Sequence, residues 1–207
     1  MRYPRMSTMA SGNSSTLSRF LSFLLRHRPD AVGLTMDEQG WVSIDELLEK
    51  SAAAGTQLGR EEVLRAVETN DKKRFTLSSD RQRIRAAQGH SIRVNLGLPH
   101  RRPPASLYHG TATHFLSAIL SKGIRPLSRR HVHLSANPET ARRSGQRHGN
   151  PVVLVVQAIR MYADGFLFYQ AENGVWLTDQ VPAEYVVAPT SSPADSPTTS
   201  RQPKPSK

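Results

Sequence analysis

An amphipathic helix that must end before a proline is the strongest local constraint in this chain. Pro29 disfavours the α conformation for the residue before it, so the helix is predicted to stop there. Arg26 and His27 then project from its last turn. They either complement the negative end of the helix dipole or bind an anion. The helix itself is predicted from apolar residues on a single face at Leu17, Phe20, Leu21, Leu24 and Leu25.

The charge balance of the chain favours a polyanionic partner. Lysine and arginine number 28 against 17 aspartate and glutamate, which gives a formal net charge of +11. Nucleic acid is the first expectation from such an excess, and an anionic membrane surface is the second. No apolar run is long enough to span a bilayer, so we expect no membrane association. The absence of cysteine excludes disulfides and thiolate zinc sites, and fits the reducing cytoplasm where we expect the protein.

Composition divides the chain into two predicted lobes and two tails. Residues 1–15 carry little apolar content, and residues 189–207 form a Pro/Ser/Thr tract, so both are predicted to be disordered. A proline-rich joint at 101–104 separates a first lobe, 16–100, from a second, 105–188.

The first lobe reads as three helices followed by a hairpin. Ser43 and Glu46 form a capping box ahead of the second helix, and Val63 lies on the apolar face of the third. Alternating residues at 74–78 and 83–87 flank a polar turn, which is the pattern of a β-hairpin. Three helices and a basic hairpin are typical of a winged helix, a common nucleic-acid-binding module.

The second lobe alternates short strands with few helices, so the fold class is predicted to be α+β on small antiparallel or mixed sheets. The apolar run 151–156 is predicted to be the central strand of its sheet. Thr113 is predicted to cap one helix, and Asn137 a second that starts at Pro138. Further strands are predicted at 107–109, 132–134, 166–169, 175–178 and 185–188.

The chain lacks the common nucleotide and nucleophile motifs. It contains no GxGxxG, no GxxxxGK[ST] and no GxSxG pattern. His131, His133 and His148 lie among arginines without a carboxylate cluster, so we expect no metal site. What remains is a basic set made up of Arg26, His27, Arg74 and Arg147.

Each member of this basic set has an ordinary explanation when taken alone, such as helix capping or a solvated loop. If the four side chains lay close together in the fold, these ordinary explanations would not suffice. Cations about 5 Å apart repel by roughly 3 kcal/mol per pair at an effective dielectric of 20. A converged cluster therefore needs an anion, and arginine forks suit phosphate.

Seven tracts in this order resemble the NAD-dependent RNA 2′-phosphotransferase family, called KptA in bacteria and archaea. The resemblance covers about residues 16 to 188, and its specificity comes from all seven tracts together. They are Leu24–Pro29, Asn70–Phe75, Ala87–Ser91, Leu107–Thr111, His131–Ser135, Arg147–Gly149 and Glu172–Thr178.

The resemblance implies a winged-helix lobe joined to a C-terminal lobe of the ADP-ribosyltransferase fold. It also implies a two-step reaction without metal, with a role in tRNA processing or RNA repair. An internal RNA 2′-phosphate attacks NAD and expels nicotinamide, giving an ADP-ribosylated RNA 2′-phosphate. Transesterification then releases RNA with a 2′-hydroxyl and ADP-ribose 1″,2″-cyclic phosphate. The partners expected on this basis are NAD and an RNA that carries a 2′-phosphate, and the enzyme is expected to be a monomer.

The resemblance also assigns residues. Arg26, His27, Arg74 and Arg147 match the catalytic tetrad. The residues that match the NAD-binding positions are His109, Gly110, Thr111, Arg129, His133, Ser135 and Val175. A glutamate takes the position of Val175 in the protein-modifying branch of the fold, and an apolar residue there fits a substrate that brings its own nucleophile.

Two roles and three functions stay open at this point. His27 either handles a proton or serves as one more phosphate donor, and His109 either grips NAD or is a strand histidine bonded to backbone. The alternative functions are an ADP-ribosyltransferase acting on nucleic-acid terminal phosphates, a non-catalytic winged-helix sensor of NAD or ADP-ribose, and a protein-modifying enzyme. An intact basic tetrad argues against a sensor, and the lack of a glutamate at Val175 argues against protein modification.

Overall fold

The computed structural model describes residues 14–188, and the two predicted tails lie outside this range apart from Ser14 and Ser15. Helix α1 spans Ser14–Arg26 and ends three residues before Pro29, as predicted. Its apolar stripe is buried: Leu21, Leu24 and Leu25 are fully excluded from solvent. A 3-10 turn at Pro29–Val32 follows, with proline at its first position, where its fixed φ is favourable.

The rest of the first half packs around α1. Its elements are β1 (Val42–Ser43), α2 (Ile44–Ala53), α3 (Arg60–Glu68), β2 (Phe75–Leu77) and β3 (Arg83–Ala86). Ser43 caps α2 by accepting a hydrogen bond from the backbone N–H of Glu46. The Glu46 carboxylate accepts from the N–H of Thr35 instead, so only the serine half of the predicted capping box forms. The hairpin also forms, and the strand order of the antiparallel sheet is β1-β3-β2.

The second half contains two three-stranded sheets. In chain order its elements are β4 (Leu107–Ala112), α4 (Leu116–Lys122), β5 (Val132–Leu134), α5 (Pro138–Gly145), β6 (Pro151–Val156), α6 (Ala158–Ala163), β7 (Tyr169–Gln170), β8 (Trp176–Thr178) and β9 (Val186–Val187). One sheet has the order β4-β6-β9, which places β6 in the centre as predicted, and the other has the order β5-β8-β7. Every strand pair in both is antiparallel. The fold class is therefore α+β with small antiparallel sheets.

A close backbone approach sets the position of α5 on β4. A Cβ atom at Gly110 would lie 1.7 Å from the carbonyl oxygen of Ala141, and one at Gly145 would lie 2.6 Å from the oxygen of Thr111. Only glycine allows the helix and the strand to approach so closely. The loop that follows α5, which carries Arg147, is fixed by this contact.

Each half has its own hydrophobic cluster, the first running from Leu17 to Ala86 and the second from Leu107 to Tyr185. Residues 88–106 connect them without helix or strand. This connection docks on the second half, because the N–H of Arg101 donates to the oxygen of Phe168 and His100 stacks on Tyr169.

Two local predictions for the second half differ from the structure, and one helix was not predicted. Thr113 does not cap a helix; it is the first residue of a 3-10 turn ahead of α4, and the N-cap of α4 is Phe115. The strand predicted at 166–169 begins only at Tyr169, since Phe168 turns inward as a fully buried core residue. Helix α6 was not predicted. Between residues 14 and 188, no helix is long and apolar enough to cross a membrane.

Candidate functional site

The C-terminal end of α1 carries Arg26 into contact with the hairpin. Its Nη2 donates to the backbone oxygen of Arg74, at 3.5 Å. Its Nε is buried and has no hydrogen-bond partner among the described residues. The guanidinium lies beside Gly89, whose φ of +91° favours glycine, and a Cβ there would be 3.5 Å from its Nη1. A buried, incompletely bonded guanidinium is what a site for an external anion would contain.

His27 is oriented by the segment that follows β3. Its Nδ1 lies 2.9 Å from the Oγ of Ser91, and the N–H of Ser91 donates to the oxygen of Arg26 at 2.9 Å. Burial and the charges of Arg26 and Arg129 lower the pKa of His27. Its imidazole is therefore neutral near pH 7 unless an anion approaches.

Arg74 is held from behind by a short polar chain that returns to α1. Its Nη1 donates to the Oδ1 of Asn70 at 3.2 Å, and the Nδ2 of Asn70 donates to the Oγ of Ser18 at 3.1 Å. Lys73, just before it, has a φ of +41°, an unusual conformation for a lysine. The turn that presents Arg74 is thus fixed at both ends.

The arginines converge electrostatically. Burial, Arg129 and Arg74 lower the pKa of Arg26 to about 10. Burial and the charge of Arg147 lower the pKa of Arg74 and likewise that of Arg129. Arg147 comes from the 3-10 turn Gln146–His148 after α5, so both halves of the molecule supply cations to one place. The charges of these arginines therefore act on one another, as the anion hypothesis requires.

A further cation that the sequence reasoning did not single out is Lys72. Burial and three neighbouring arginines, Arg147, Arg74 and Arg143, lower its pKa. It therefore belongs to the same positive region as the tetrad. The signal was available, since Lys72 lies within the tract Asn70–Phe75.

The two histidines predicted to grip NAD lie side by side on two sheets. The Nδ1 of His109, on β4, lies 3.2 Å from the backbone oxygen of His133, on β5. Burial and, less strongly, His148 lower the pKa of His109. Burial, followed by Arg129 and Arg26, lowers the pKa of His133 to about 3, and its Nε2 is buried without a partner in the described part of the chain. The backbone contact that the alternative explanation of His109 requires is therefore present.

The other predicted NAD-binding residues flank this histidine pair. Thr111 is buried on β4 beyond Gly110. The Oγ of Ser135 donates to the oxygen of Asn137 at 2.9 Å and accepts from its N–H at 3.0 Å, which ties it to the start of α5. Val175 is half-buried before β8, and its N–H donates to the Oδ1 of Asn173 at 3.3 Å.

A cavity of about 340 Å³ adjoins the cluster. Its lining includes Gly89, which lies beside Arg26, and His133. The remaining wall includes His90, Arg130, His131 and Tyr169. His90 is 5% exposed, and burial and then Arg26, His27, Arg85 and Arg130 lower its pKa to about 4. Sequence reasoning assigned no role to His90 or Ser91, although both lie in the tract Ala87–Ser91.

The described residues contain no group of three or more histidine, aspartate or glutamate side chains that could hold a metal ion. What this region offers instead is clustered cations, neutral imidazoles and an open cavity. These are the properties expected of a site that binds a phosphorylated, heteroaromatic molecule.

Comparison with known proteins gives one consistent family. The family model described as RNA 2′-phosphotransferase, Tpt1 / KptA family matches residues 12–180. A protein of Agrobacterium fabrum named probable RNA 2′-phosphotransferase is 54% identical over 182 residues, 88% of this chain and 98% of that protein. Proteins with the same name from Pseudomonas fluorescens and Flavobacterium johnsoniae are 56% and 48% identical, over 83% and 84% of this chain and 94% and 95% of their own. The chain belongs to the RNA 2′-phosphotransferase family.

Proposed function

We propose that this chain transfers an internal RNA 2′-phosphate to NAD and leaves a 2′-hydroxyl on the RNA. The observation that carries the proposal is the convergence of Arg26, Arg74 and Arg147, which come from three separate elements and form no salt bridge with a carboxylate among residues 14–188. Their mutual repulsion is relieved by a dianionic phosphate, and guanidinium groups bind phosphate in a two-point geometry.

We assign residues 16–100 to a winged-helix lobe that receives the RNA and residues 105–188 to an ADP-ribosyltransferase-like lobe that receives NAD. The three helices and hairpin of the first half support the first assignment. The pair of small antiparallel sheets in the second half supports the second. Residues 101–104 join the two lobes. We assign the enzyme to the cytoplasm and infer that it works as a monomer, because one chain supplies the full tetrad.

In the first step an oxygen of the 2′-phosphate forms a bond to the ribose carbon that carries nicotinamide. The glycosidic C–N bond breaks, and nicotinamide leaves with its electron pair. The phosphate is already an anion at neutral pH, so this step needs positioning and no general base. Arg26 and Arg74 hold the phosphate in position, and the neutral His27 is left free for the second step.

In the second step the adjacent ribose hydroxyl forms a bond to phosphorus and the bond from phosphorus to the RNA 2′-oxygen breaks. The hydroxyl loses one proton and the RNA 2′-oxygen gains one. Negative charge grows on the phosphoryl oxygens, and charge-assisted hydrogen bonds of about 1.5–3 kcal/mol each make arginine the natural stabiliser. His27, oriented by Ser91 and neutral at rest, accepts the first proton and returns the second.

The residues of the second lobe fit NAD by their chemistry. The buried Nε2 of His133 has no partner within residues 14–188, so it is available to a polar group of a ligand. The N–H of Tyr108 on β4 donates to Ser135, so it points away from the neighbouring strand β6. Because backbone N–H groups alternate in direction along a strand, the N–H of Gly110 faces the same edge of β4. That edge and Arg129 can hold a pyrophosphate without metal.

The test is one incubation of purified protein with NAD and a short RNA that carries a single internal 2′-phosphate. Mass spectrometry follows both the RNA and the nucleotide product. Loss of the phosphate together with release of ADP-ribose cyclic phosphate is the expected result. An Arg74→Ala variant is expected to accumulate the ADP-ribosylated RNA, because it lacks one stabiliser of the second step.

Arg81→Ala is the matched control, since Arg81 lies in the turn of the same hairpin and pairs with Glu68. It is expected to turn over like the unmodified chain. An ADP-ribosylated RNA as the final product of the unmodified chain would favour the nucleic-acid ADP-ribosyltransferase. RNA binding without NAD consumption would favour the sensor.

A further inference from the structure

Glu172 joins the two halves of the molecule at the base of the hairpin. One carboxylate oxygen accepts from the Nη2 of Arg85 and the other accepts from the hydroxyl of Thr76. Thr76 and Arg85 are direct cross-strand partners on β2 and β3. The hairpin therefore presents a two-point receptor for one carboxylate from the turn before β8.

Arg85 is built into this receptor. Its side chain is 9% exposed, and its guanidinium lies 4.5 Å from the ring centroid of Trp41. Its Nη1 is also directed at the backbone oxygens of Gln39 and Leu96, each at 3.5 Å. Because this guanidinium is already held on several sides, it loses little additional conformational freedom when it binds the carboxylate. An arginine in an exposed surface ion pair loses more.

Asn173, the next residue, connects the same turn to the catalytic region. Its Nδ2 donates to the backbone oxygen of Lys72 at 3.4 Å, and its Oδ1 accepts from the N–H of Val175 at 3.3 Å. One amide side chain thus links the segment that carries Arg74 to a position assigned to NAD binding. Together with Glu172 it fixes the hairpin within two residues of Arg74.

We propose that Glu172 and Asn173 form an interlobe clasp that positions Arg74 against the NAD-binding lobe, and that turnover depends on it. The proposal rests on the proposed function, since it assigns Arg74 a catalytic role. Glu172 and Asn173 are positioning residues that act through Arg74. Displacement of a catalytic group by about 1 Å can lower the rate about 100-fold, so a loosened clasp affects kcat before it affects binding.

The first test measures kcat and the KM for NAD with a 2′-phosphorylated oligoribonucleotide. Glu172→Ala is expected to lower kcat by about 10- to 100-fold and to leave the KM for NAD within about threefold. Glu172→Gln keeps an acceptor oxygen but loses the charge, so an intermediate rate is expected. Asp45→Ala is the matched control, because Asp45 pairs with Arg60 inside the first half and its loss leaves the clasp intact.

Two milder variants keep the test decisive if Glu172→Ala does not fold. Thr76→Val removes one of the two hydrogen bonds to Glu172 at similar volume, and Asn173→Ala removes the link to Lys72. Each is expected to lower kcat about threefold or more, and Thr76→Val, which leaves the bond to Val175 intact, is expected to do so at an unchanged KM for NAD. If the folded variants all keep kcat within twofold of the control, or if the loss falls on the KM for NAD alone, the clasp is overturned.

Hydrogen–deuterium exchange then separates failure of the clasp from failure of the proposed function. Faster exchange at residues 71–77 and 171–176 is expected in Glu172→Ala and not in Asp45→Ala, whether or not the chain is active. If the unmodified chain does not consume NAD while this pattern appears, the proposed function fails and the clasp stands as an interlobe contact. Unchanged exchange overturns the clasp itself.

Discussion

The Nδ1 of His27 lies 2.9 Å from the Oγ of Ser91, which joins the end of α1 to the segment after the hairpin. Ser91 is itself fixed, because its N–H donates to the oxygen of Arg26. With Nδ1 engaged in this way, the imidazole presents its Nε2 as the free nitrogen. The arrangement resembles the general one in which a third group orients a catalytic base.

Replacing Ser91 with alanine is expected to lower kcat about tenfold, equal to about 1.4 kcal/mol in the barrier, because the imidazole loses the bond that orients it. Steady-state release of nicotinamide measures the effect. Ser91→Thr keeps the hydroxyl and is the matched control, expected to stay within about threefold of the unmodified chain. Equal losses in both variants would contradict a role of the hydroxyl.

The pH dependence of the reaction provides a second prediction about His27. Because burial and two arginines lower its pKa from 6.5, the acid limb of kcat/KM caused by this histidine is expected below pH 6.5. Bound phosphate brings negative charge and raises the pKa, so the acid limb of kcat is expected at higher pH than that of kcat/KM. A His27→Gln variant that keeps the acid limb would show that another group causes it.

An anion in the arginine cluster is expected to stabilise the folded chain. Burial, and then repulsion between neighbouring arginines, lowers the pKa of Arg26, Arg74 and Arg129, and the repulsion is relieved when phosphate binds. At 100 times its dissociation constant, a ligand of the native state adds about 2.7 kcal/mol to the free energy of unfolding. The melting temperature is therefore expected to rise by several degrees in inorganic phosphate, compared with sodium chloride at equal ionic strength.

Arg147→Ala is the matched test of that stabilisation. It removes one cation from the cluster, so the phosphate-dependent rise is expected to shrink while the melting temperature in chloride stays or increases. A rise that is identical in chloride and phosphate would mean that the cluster does not bind the anion specifically.

Gly110→Ala is expected to be strongly destabilising and to abolish NAD consumption. Its Cβ would lie 1.7 Å from the oxygen of Ala141, so α5 must move off β4 and carry Arg147 with it. Backbone cannot yield as a flexible side chain does, and a loss of about 3 kcal/mol or more in the free energy of unfolding is expected. Chemical denaturation measures it.

Gly59→Ser is the control for the glycine substitution. Gly59 is the N-cap of α3, where serine is a preferred residue, and a Cβ there would be 3.4 Å from the nearest atom, an oxygen of Glu62. Stability is expected to stay within about 0.5 kcal/mol. A comparable loss in the control would contradict the specific role of the α5–β4 contact.

Local signals in the sequence predicted much of the first half of the fold. The apolar stripe of α1, the cap at Ser43 and the hairpin each depend on neighbours in the chain, and all three were confirmed. Local signals were wrong at Thr113 and did not predict helix α6. Thr113 has a good capping residue type but enters a 3-10 turn from the end of β4, and α6 is a six-residue helix too short to show a clear period.

The candidate site shows the same division between local and distant information. Arg26, Arg74 and Arg147 were identified from motifs, yet their convergence depends on contacts between elements far apart in the chain. Glu172 and Arg85 are 87 positions apart, and in sequence each is an ordinary charged residue beside a turn or in a strand. Their pairing depends on the docking of one half on the other, which no periodicity encodes.

Stability at acid pH is expected to depend on His90. Burial, followed by the charges of Arg26, His27, Arg85 and Arg130, lowers its pKa to about 4, and its Nε2 is buried without a hydrogen-bond partner among residues 14–188. The unfolded chain, with an ordinary histidine pKa near 6.5, binds the proton more readily than the folded chain does. The free energy of unfolding is therefore unaffected by this residue above pH 6.5 and falls as the pH drops from 6.5 towards 4.

Each pKa unit corresponds to 1.36 kcal/mol. The free energy of unfolding is therefore expected to fall by about 3 kcal/mol between pH 6.5 and pH 4. Urea denaturation at pH 7.5, 6, 5 and 4 in chloride buffer is the measurement, and the comparison with a variant cancels the contribution of carboxylates. In His90→Leu the titrating group is gone, so the decline towards pH 4 is expected to be smaller by up to about 3 kcal/mol. His100→Gln, an exposed histidine on the connection, is expected to keep the full decline. If His90→Leu and His100→Gln declined in parallel, proton uptake by another buried imidazole, such as His133, would be the source of the acid sensitivity.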